Sequence, residues 1–254
     1  MQRQAFTLSY NTHSSASSTE PSQGTFGQKP CHVRAFTLAE VLLTLAIIGV
    51  VAALTIPAVI TKVTKDQYAT GLKKAYNTLK SVEREAVQEH GEMANWDWTG
   101  DCQTIFNNYF KPHFDILKDC GTTTDDGCFA GINSYKYLND TDAPTNFNVV
   151  SVYKIITSDG ISYSYLKVPT TSRQGFFWVD INGKKKPNKF GRDLFGFEVF
   201  PILGIKPAGA FNNTTAEIIT STDLNAANGE GCNPAGGQGQ YCAAKVLSEG
   251  AMNY

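Results

Sequence analysis

One carboxylate stands alone in a long apolar stretch near the start of the chain. Between Phe36 and Ile60, a run of 25 residues, Glu40 is the only charged side chain. An unpaired carboxylate costs about 2 to 3 kcal/mol at the centre of a membrane helix and less near its end. Glu40 therefore needs either a cationic partner or a position at the level of the lipid headgroups.

A second group of polar residues occupies one short segment in the C-terminal half. The group consists of Asp180, Asn182, Asn188 and Asp193. Their carboxylate and amide oxygens are the ligands that calcium prefers, although the spacing is not that of an EF-hand and three lysines, 184–186, oppose a cation. The alternative is a structural turn, in which Asn182-Gly183 supplies positive φ and Asp193 brackets the next strand.

Five of the six cysteines follow the apolar stretch, and Cys31 precedes it. The five are Cys102, Cys120, Cys128, Cys232 and Cys242. No pair has the C-x-x-C spacing of a zinc or redox motif, so we expect disulfides and an oxidising compartment. Five is an odd number, so at least one thiol stays outside a disulfide, pairs with Cys31 or bridges to another chain.

The loop 225–240 is rich in Gly, Asn and Ala, and Cys232 and Cys242 flank most of it. A disulfide between them would add roughly 3 kcal/mol by restricting the unfolded chain. For the other three cysteines our hypothesis pairs Cys102 with either Cys120 or Cys128. The spacing alone does not choose between these two connectivities.

The sequence offers little to support catalysis or nucleic-acid binding. It contains no G-x-S-x-G, Walker A, H-E-x-x-H or strand-to-helix G-x-G-x-x-G motif. His90 and His113, the two histidines outside the first 35 residues, have no nucleophile motif nearby. With 22 basic and 23 acidic residues the net charge is 22 − 23 = −1. We therefore predict that the chain is not an enzyme, has no resident cofactor other than the calcium considered above, and does not bind nucleic acid.

The elements that hold these residues follow from hydrophobic patterning. Residues 1–35 are rich in Ser, Thr, Gln and Pro and have a positive balance, which is typical of a leader before an export signal. The uncharged stretch Val41 to Ile60 has 20 residues and, as a helix, spans roughly 30 Å, the thickness of a bilayer core. Gly49 allows close helix approach, and Pro57 loosens the helix or ends the span.

An amphipathic helix is predicted to continue this segment over 61–93, with apolar residues near helical spacing and interspersed lysines. From 94 to 254 we expect a globular, β-rich head. Alternating runs predict strands at 148–157, 161–168, 175–181 and 194–202, with a hairpin turn at Ser158-Asp159-Gly160. The fold class is therefore α+β, a long helix packed on an antiparallel sheet.

Residues 34–45, RAFTLAEVLLTL, resemble the prepilin cleavage and methylation motif of type IV pilins and type II secretion pseudopilins. In that family a basic leader ends in a small residue, Phe follows, and a Glu stands four positions further on. Ala35 occupies the position where the family usually has Gly. The segment 179–195 also resembles the D-x-N-G, P-N and G-x-D-x-F pattern of many prepilin-type heads, and the C-terminal disulfide loop resembles that of pilin heads.

The resemblance implies that prepilin peptidase cleaves between Ala35 and Phe36 and methylates the new amino group of Phe36. Glu40 would then pair with that amine, in the same or a neighbouring subunit, and Gly49 and Pro57 lie where the family has helix-loosening residues. It also implies a pilin-like head, in which calcium orders a loop in some members. The protein would be a structural subunit of a type IV pilus or a type II secretion pseudopilus.

The resemblance implies a single-pass protein in lipid of the bacterial inner membrane, with its head outside the cytoplasm. After assembly with other subunits through the N-terminal helix, it would belong to a periplasmic or cell-surface filament. The alternative is an exported or membrane-anchored protein whose head binds a ligand without forming filaments. In that case Val51-Ala52-Ala53 is an ordinary signal-peptidase site or the helix is a permanent anchor.

Overall fold

The structure is a computed structural model that describes residues 36–124, 127–131, 133–144, 147, 151–212 and 217–254. The predicted leader 1–35, including Ala35, lies outside the described residues. The rest forms a long helix and a six-stranded antiparallel sheet, so the predicted α+β class is confirmed. Two units are distinguished along the chain, up to Val50 and from Val51 onward.

The long helix α1 spans Leu38–His90. In its C-terminal part six apolar residues recur every three or four positions and are buried: Ala69, Leu72, Ala75, Leu79, Val82 and Ala86. This spacing places them on one face of a helix. The helix ends three residues before the predicted bound, because Gly91 adopts a left-handed conformation with φ of 78°. A short 3-10 turn at Met93–Asn95 follows.

The N-terminal part of α1 is exposed and apolar. Large side chains from Phe36 to Val63 are all about half exposed or more, and Phe36 is 85% exposed. By length and composition α1 can cross a membrane. Since disulfides persist in oxidising compartments, this helix and the two disulfides of the head indicate a membrane-anchored protein with its head outside the cytoplasm.

The six strands follow one another in chain order across a single antiparallel sheet. They are β1 (Ile116–Gly121), β2 (Val152–Thr157), β3 (Ser162–Leu166), β4 (Gly175–Asp180), β5 (Leu194–Phe200) and β6 (Gly204–Pro207). The four predicted strand runs overlap β2 to β5, and the predicted Ser-Asp-Gly turn joins the antiparallel strands β2 and β3. The two edge strands were not predicted.

The main core lies between α1 and one face of the sheet. Its sheet members alternate along the strands, as in Tyr163 and Tyr165 of β3 or Phe195 and Phe197 of β5. Tyr76 of α1 stacks on Phe197 with ring centroids 5.7 Å apart. The alternation thus directs one set of side chains of each strand to the helix.

The opposite face of the sheet is buried as well. A second cluster formed mainly by residues 120–147 covers it, and all seven residues of β5 are buried. Hydrogen bonds fix this cover: Ser162 Oγ donates to the Cys128 carbonyl at 2.6 Å, and Lys154 Nζ donates to the Thr123 carbonyl at 2.8 Å. The polar positions of the central strands therefore face protein.

Three helical segments beyond Asn95 were not predicted. Helix α2, Cys102–Ile105, continues into a π-helical turn Phe106–Phe110 and a 3-10 turn Lys111–His113. The short α3 spans Ser221–Leu224, and α4 spans Cys242–Glu249. The sequence analysis expected a β-rich head and named no helix in it, because helices this short carry too little periodicity to be recognised.

The disulfides join Cys232 to Cys242 and Cys120 to Cys128. The first is the pairing that the flanked loop predicts. The hypothesis that Cys102 pairs with Cys120 or Cys128 is wrong, since those two bond to each other across eight residues of sequence. Cys102 is instead a buried thiol at the start of α2, and burial raises its pKa.

We predict that Leu79→Ala destabilises the protein by about 2 to 5 kcal/mol, because Leu79 is fully buried between α1 and the sheet. Leu117→Ala is the matched control and should change stability by less than about 0.5 kcal/mol, since Leu117 of β1 is 68% exposed. Urea unfolding of the full chain in detergent, followed by tryptophan fluorescence, measures both. Equal losses in the two variants would contradict the assigned packing.

Candidate functional site

The N-terminus of α1 holds Glu40 through a capping box. The Thr37 carbonyl accepts the first helical hydrogen bond from Val41 at 3.2 Å, so Thr37 is the N-cap. Glu40 Oε2 accepts hydrogen bonds from the Thr37 backbone N–H and from Thr37 Oγ1, both at 2.9 Å. The Glu40 N–H in turn donates to Thr37 Oγ1 at 3.2 Å. This reciprocal pattern is the S/T-x-x-E signature, which the sequence analysis did not use.

The capping box fixes the position of the carboxylate. Both hydrogen bonds from Thr37 end on Oε2, so Glu40 Oε1 is oriented without being consumed by the cap. Phe36, whose backbone nitrogen would become the amine on cleavage, directly precedes the N-cap. Ala35, the residue before Phe36 at the predicted cleavage site, lies outside the described residues.

Gly49 and Pro57, the other two predicted assembly residues, both lie within α1. A Cβ built at Gly49 meets no described atom within 4 Å beyond the helix itself. Helix α1 continues through Pro57, and Thr61 Oγ1 donates to the Pro57 carbonyl at 2.9 Å. The Gly49 position therefore offers a flat surface at which a second helix could approach closely.

In the head, the four predicted oxygen donors come together at one end of β4 and β5. Asp180 and Asp193 are both fully buried, and Asn188 is 6% exposed. Tyr135 Oη donates to Asp180 Oδ2 at 2.8 Å. Asp193 accepts the backbone N–H of Asn188 on Oδ2 at 2.8 Å and that of Lys189 on Oδ1 at 2.6 Å. Asp193 thus brackets the turn that leads into β5.

The side-chain oxygens of this cluster can still accept a proton or a cation. Burial, reinforced by the nearby charge of Asp193, raises the pKa of Asp180 well above its usual range, and burial raises that of Asp193. The side-chain oxygens of Asn182 and Asn188 are buried, and no donor among the described residues reaches them. Lysines 184–186 are exposed. The geometry is compatible with two states of the cluster. In one, the two buried carboxyl groups hold a proton and the turn is purely structural; in the other, these oxygens hold a cation.

A third polar site, which the sequence analysis missed, lies on the covered face of the sheet. Arg173 Nη1 donates to Glu198 Oε1 at 2.6 Å, and both side chains are at least nine-tenths buried. Arg173 Nε and Glu198 Oε2 have no hydrogen-bond partner among the described residues. Burial raises the pKa of Glu198 to about 7, although Arg173 opposes the shift.

The Arg173–Glu198 pair lines a cavity of about 190 Å³ together with Trp178, Glu230 and Tyr241. The cavity combines aromatic walls with unpartnered polar atoms, which is the composition of a small-ligand site. One indication of this site was present in the sequence, a Glu at a polar position of an alternating strand. The same pattern is equally typical of a solvent-exposed Glu. Comparison with protein-family models, curated proteins and solved structures finds no match for the chain.

We predict that Asp193→Ala destabilises the head by about 2 to 5 kcal/mol, because it removes the acceptors of two backbone N–H groups. Asp142→Ala, at an exposed carboxylate, should cost less than about 1 kcal/mol. Urea unfolding with and without calcium separates the two roles of the cluster. If the cluster only stabilises the turn, the urea midpoint of the wild type should not change with calcium. If it binds calcium, the urea midpoint should rise with calcium in the wild type and not in Asp193→Ala.

Glu198 should make stability depend on pH. Its folded pKa of about 7 exceeds the ordinary value of 4.5, so its contribution is complete below about pH 4.5 and is lost as pH rises through about 7. A shift of this size corresponds to about 3 kcal/mol. In Glu198→Gln the fall in unfolding free energy between pH 5 and pH 8 should be smaller than in the wild type. Parallel pH profiles would exclude this role.

Proposed function

We propose that the protein is a prepilin-type structural subunit, assembled into a type IV pilus or a type II secretion pseudopilus. Prepilin peptidase would cleave it between Ala35 and Phe36 and methylate the Phe36 amine. One observation carries the proposal. A single carboxylate, Glu40, is held at the start of an exposed helix that is otherwise uncharged for 20 residues.

The charge balance at the helix start supports this role. Cleavage would convert the amide nitrogen of Phe36 into an ammonium four residues from Glu40. A carboxylate and an ammonium inside an apolar bundle are tolerated as a pair, whereas one without the other costs about 3 to 5 kcal/mol. Pairing with the amine of a neighbouring subunit would therefore set the axial register of a filament.

The helix surface supports assembly of several copies. The exposed large apolar residues between Phe36 and Val63 lie on all sides of the helix. A helix that is apolar all round is stable in lipid or in the middle of a helical bundle. In this proposal the same surface faces inner-membrane lipid before assembly and other subunits afterwards, with Gly49 as a point of close approach.

The head supports a pilin-like arrangement. The C-terminal half of α1 packs on an antiparallel sheet, and the Cys232–Cys242 disulfide closes the C-terminal loop. Both features are what the resemblance of residues 34–45 to the prepilin motif implies. The filament would then present the head in the periplasm or at the cell surface.

One observation favours the alternative of an anchored binding head. The cavity beside Arg173 and Glu198 has the aromatic walls and unpartnered polar atoms of a site for a small molecule. An anchored protein would keep the unprocessed helix, and an exported one would be cut after Ala53. The mass of the mature N-terminus separates these outcomes from cleavage before Phe36.

The decisive test co-expresses the full chain with prepilin peptidase and determines the mass of the mature N-terminus. We expect an N-methylated Phe36. A mature protein that starts at any other residue would exclude the subunit proposal.

Two variants separate the charge of Glu40 from its capping role. Glu40→Gln keeps an acceptor for the capping box but removes the charge, so we expect normal processing and a loss of filaments. Thr37→Ala keeps the charge and removes the cap, at a cost of about 0.5 to 2 kcal/mol in helix stability, so filaments should persist in reduced number. Electron microscopy of sheared filaments and immunoblotting measure both. Normal filaments from Glu40→Gln together with none from Thr37→Ala would assign Glu40 to capping alone.

A further inference from the structure

The geometry points to a binding site for a divalent transition metal, best matched by zinc, at the C-terminal end of α1. Its ligands are Glu89 and His90 in the last turn of the helix and His113 in the 3-10 turn that follows α2. The three ligand atoms all lie within 4.8 Å of one another. Imidazole nitrogens with one carboxylate form a donor set that zinc accepts in open, three-residue sites.

The distances suit a metal after small side-chain rotations. Glu89 Oε2 lies 3.6 Å from His113 Nε2, and Glu89 Oε1 lies 3.8 Å from His90 Nε2. Two ligands of a tetrahedral zinc with bonds of about 2.0 to 2.1 Å stand about 3.4 Å apart. Both separations are longer than a hydrogen bond, so these groups do not bond to each other, and the three ligand atoms lie close enough to share one ion.

His113 provides the independent observation. Its side chain is only 9% exposed, and its Nε2 has no hydrogen-bond partner among the described residues. A buried polar atom without a partner is costly, and it calls for a water or an ion. Since this nitrogen faces the Glu89 carboxylate at 3.6 Å, a cation between them would satisfy both groups.

The other nitrogen of His113 also has a suitable neighbour. Glu85, one turn before Glu89 on α1, places Oε2 3.8 Å from His113 Nδ1. This separation is longer than a hydrogen bond, so Glu85 would accept the Nδ1 proton only after a small side-chain rotation. It would then leave Nε2 free to ligate and would orient the ring. Glu85 is therefore assigned as the positioning residue of the site.

The surroundings hold His90 in place and favour a cation. The His90 ring makes edge contacts with Tyr109 and Trp96, at centroid distances of 5.2 and 6.2 Å. Trp96 and Tyr109 stack on each other at 4.4 Å, and Trp96 Nε1 donates to the Gly91 carbonyl at 2.8 Å. The site also lies at a helix C-terminus, where the backbone dipoles attract positive charge.

Metal binding here would tie two distant parts of the chain together. His90 ends α1, and His113 precedes β1 by a short turn. A zinc ion shared between them would lock the α2 segment against the end of α1. The inference does not depend on filament assembly, because all its ligands lie in the unit that begins at Val51.

The test uses the full chain in detergent, purified without a polyhistidine tag and stripped with EDTA. Zinc at about 100 times its dissociation constant should raise the thermal unfolding midpoint by about 5 to 10 °C. Cobalt should give visible d–d absorption that zinc displaces. Calorimetric titration with zinc should give one bound ion per chain.

Variants assign the ligands. His90→Gln and His113→Gln should each abolish the cobalt absorption and the zinc-induced shift. Glu85→Gln should keep the site and weaken zinc binding about 10-fold to 100-fold. Glu92→Gln is the matched control, since Glu92 is an exposed carboxylate three residues beyond Glu89 and should leave binding unchanged. The metal-free midpoint of each variant monitors folding.

Two results would overturn the inference. The first is a wild-type midpoint that does not move with zinc and a protein that gives no cobalt absorption. The second is a zinc-induced shift that is the same in the wild type and in both histidine variants, which would place the ion elsewhere on the chain.

Discussion

A single helix in this protein has to satisfy two different environments. Up to Ile60 the side chains of α1 are apolar on every side and exposed, and from Ala69 onward only one face is apolar and that face is buried. The first pattern requires lipid or other helices, and the second requires the sheet. The sheet meets the second requirement with large aromatic side chains on the face toward Leu72 and Leu79.

Much of this arrangement could be predicted from the sequence, because the dominant elements carry strong periodicity. The helix has a three-to-four spacing over many turns, and strands β2 to β5 alternate between short turns. Strand β1 was missed because its register is irregular and its residues are mostly exposed, and β6 is only four residues long. Helix α2 and its extensions depend on contacts such as Phe106 on Tyr153, at 4.5 Å, which no local pattern encodes.

The candidate sites were predictable to a lesser degree. Glu40 and the D-x-N-G segment stand out locally in the sequence, so their residues could be named in advance. The capping box of Thr37 and Glu40 is equally local but was not recognised. Arg173 and Glu198 lie 25 positions apart in sequence. In the Glu89–His90–His113 group, His113 lies 23 positions after His90. Neither group could therefore be recognised from a local pattern. Alternation alone assigns Glu198 and Asp180 to a polar face, whereas the segment 120–147 and the C-terminal loop bury that face and turn these side chains into costly internal groups.

In the proposed subunit, the carboxylate at the start of α1 would have a role beyond capping the helix. A capping interaction contributes about 0.5 to 2 kcal/mol, which Asp, Asn or Ser at the N-cap could supply without a charge inside the apolar run. An unmatched charge in an apolar bundle costs about 3 to 5 kcal/mol, so capping alone cannot offset the position of Glu40 once the helix is buried. A cationic partner removes that deficit, and the cap then holds Oε2 so that Oε1 can receive the partner without reorganisation. In the proposed subunit, the first interaction would orient the carboxylate before assembly, and the second would select the correctly placed amine.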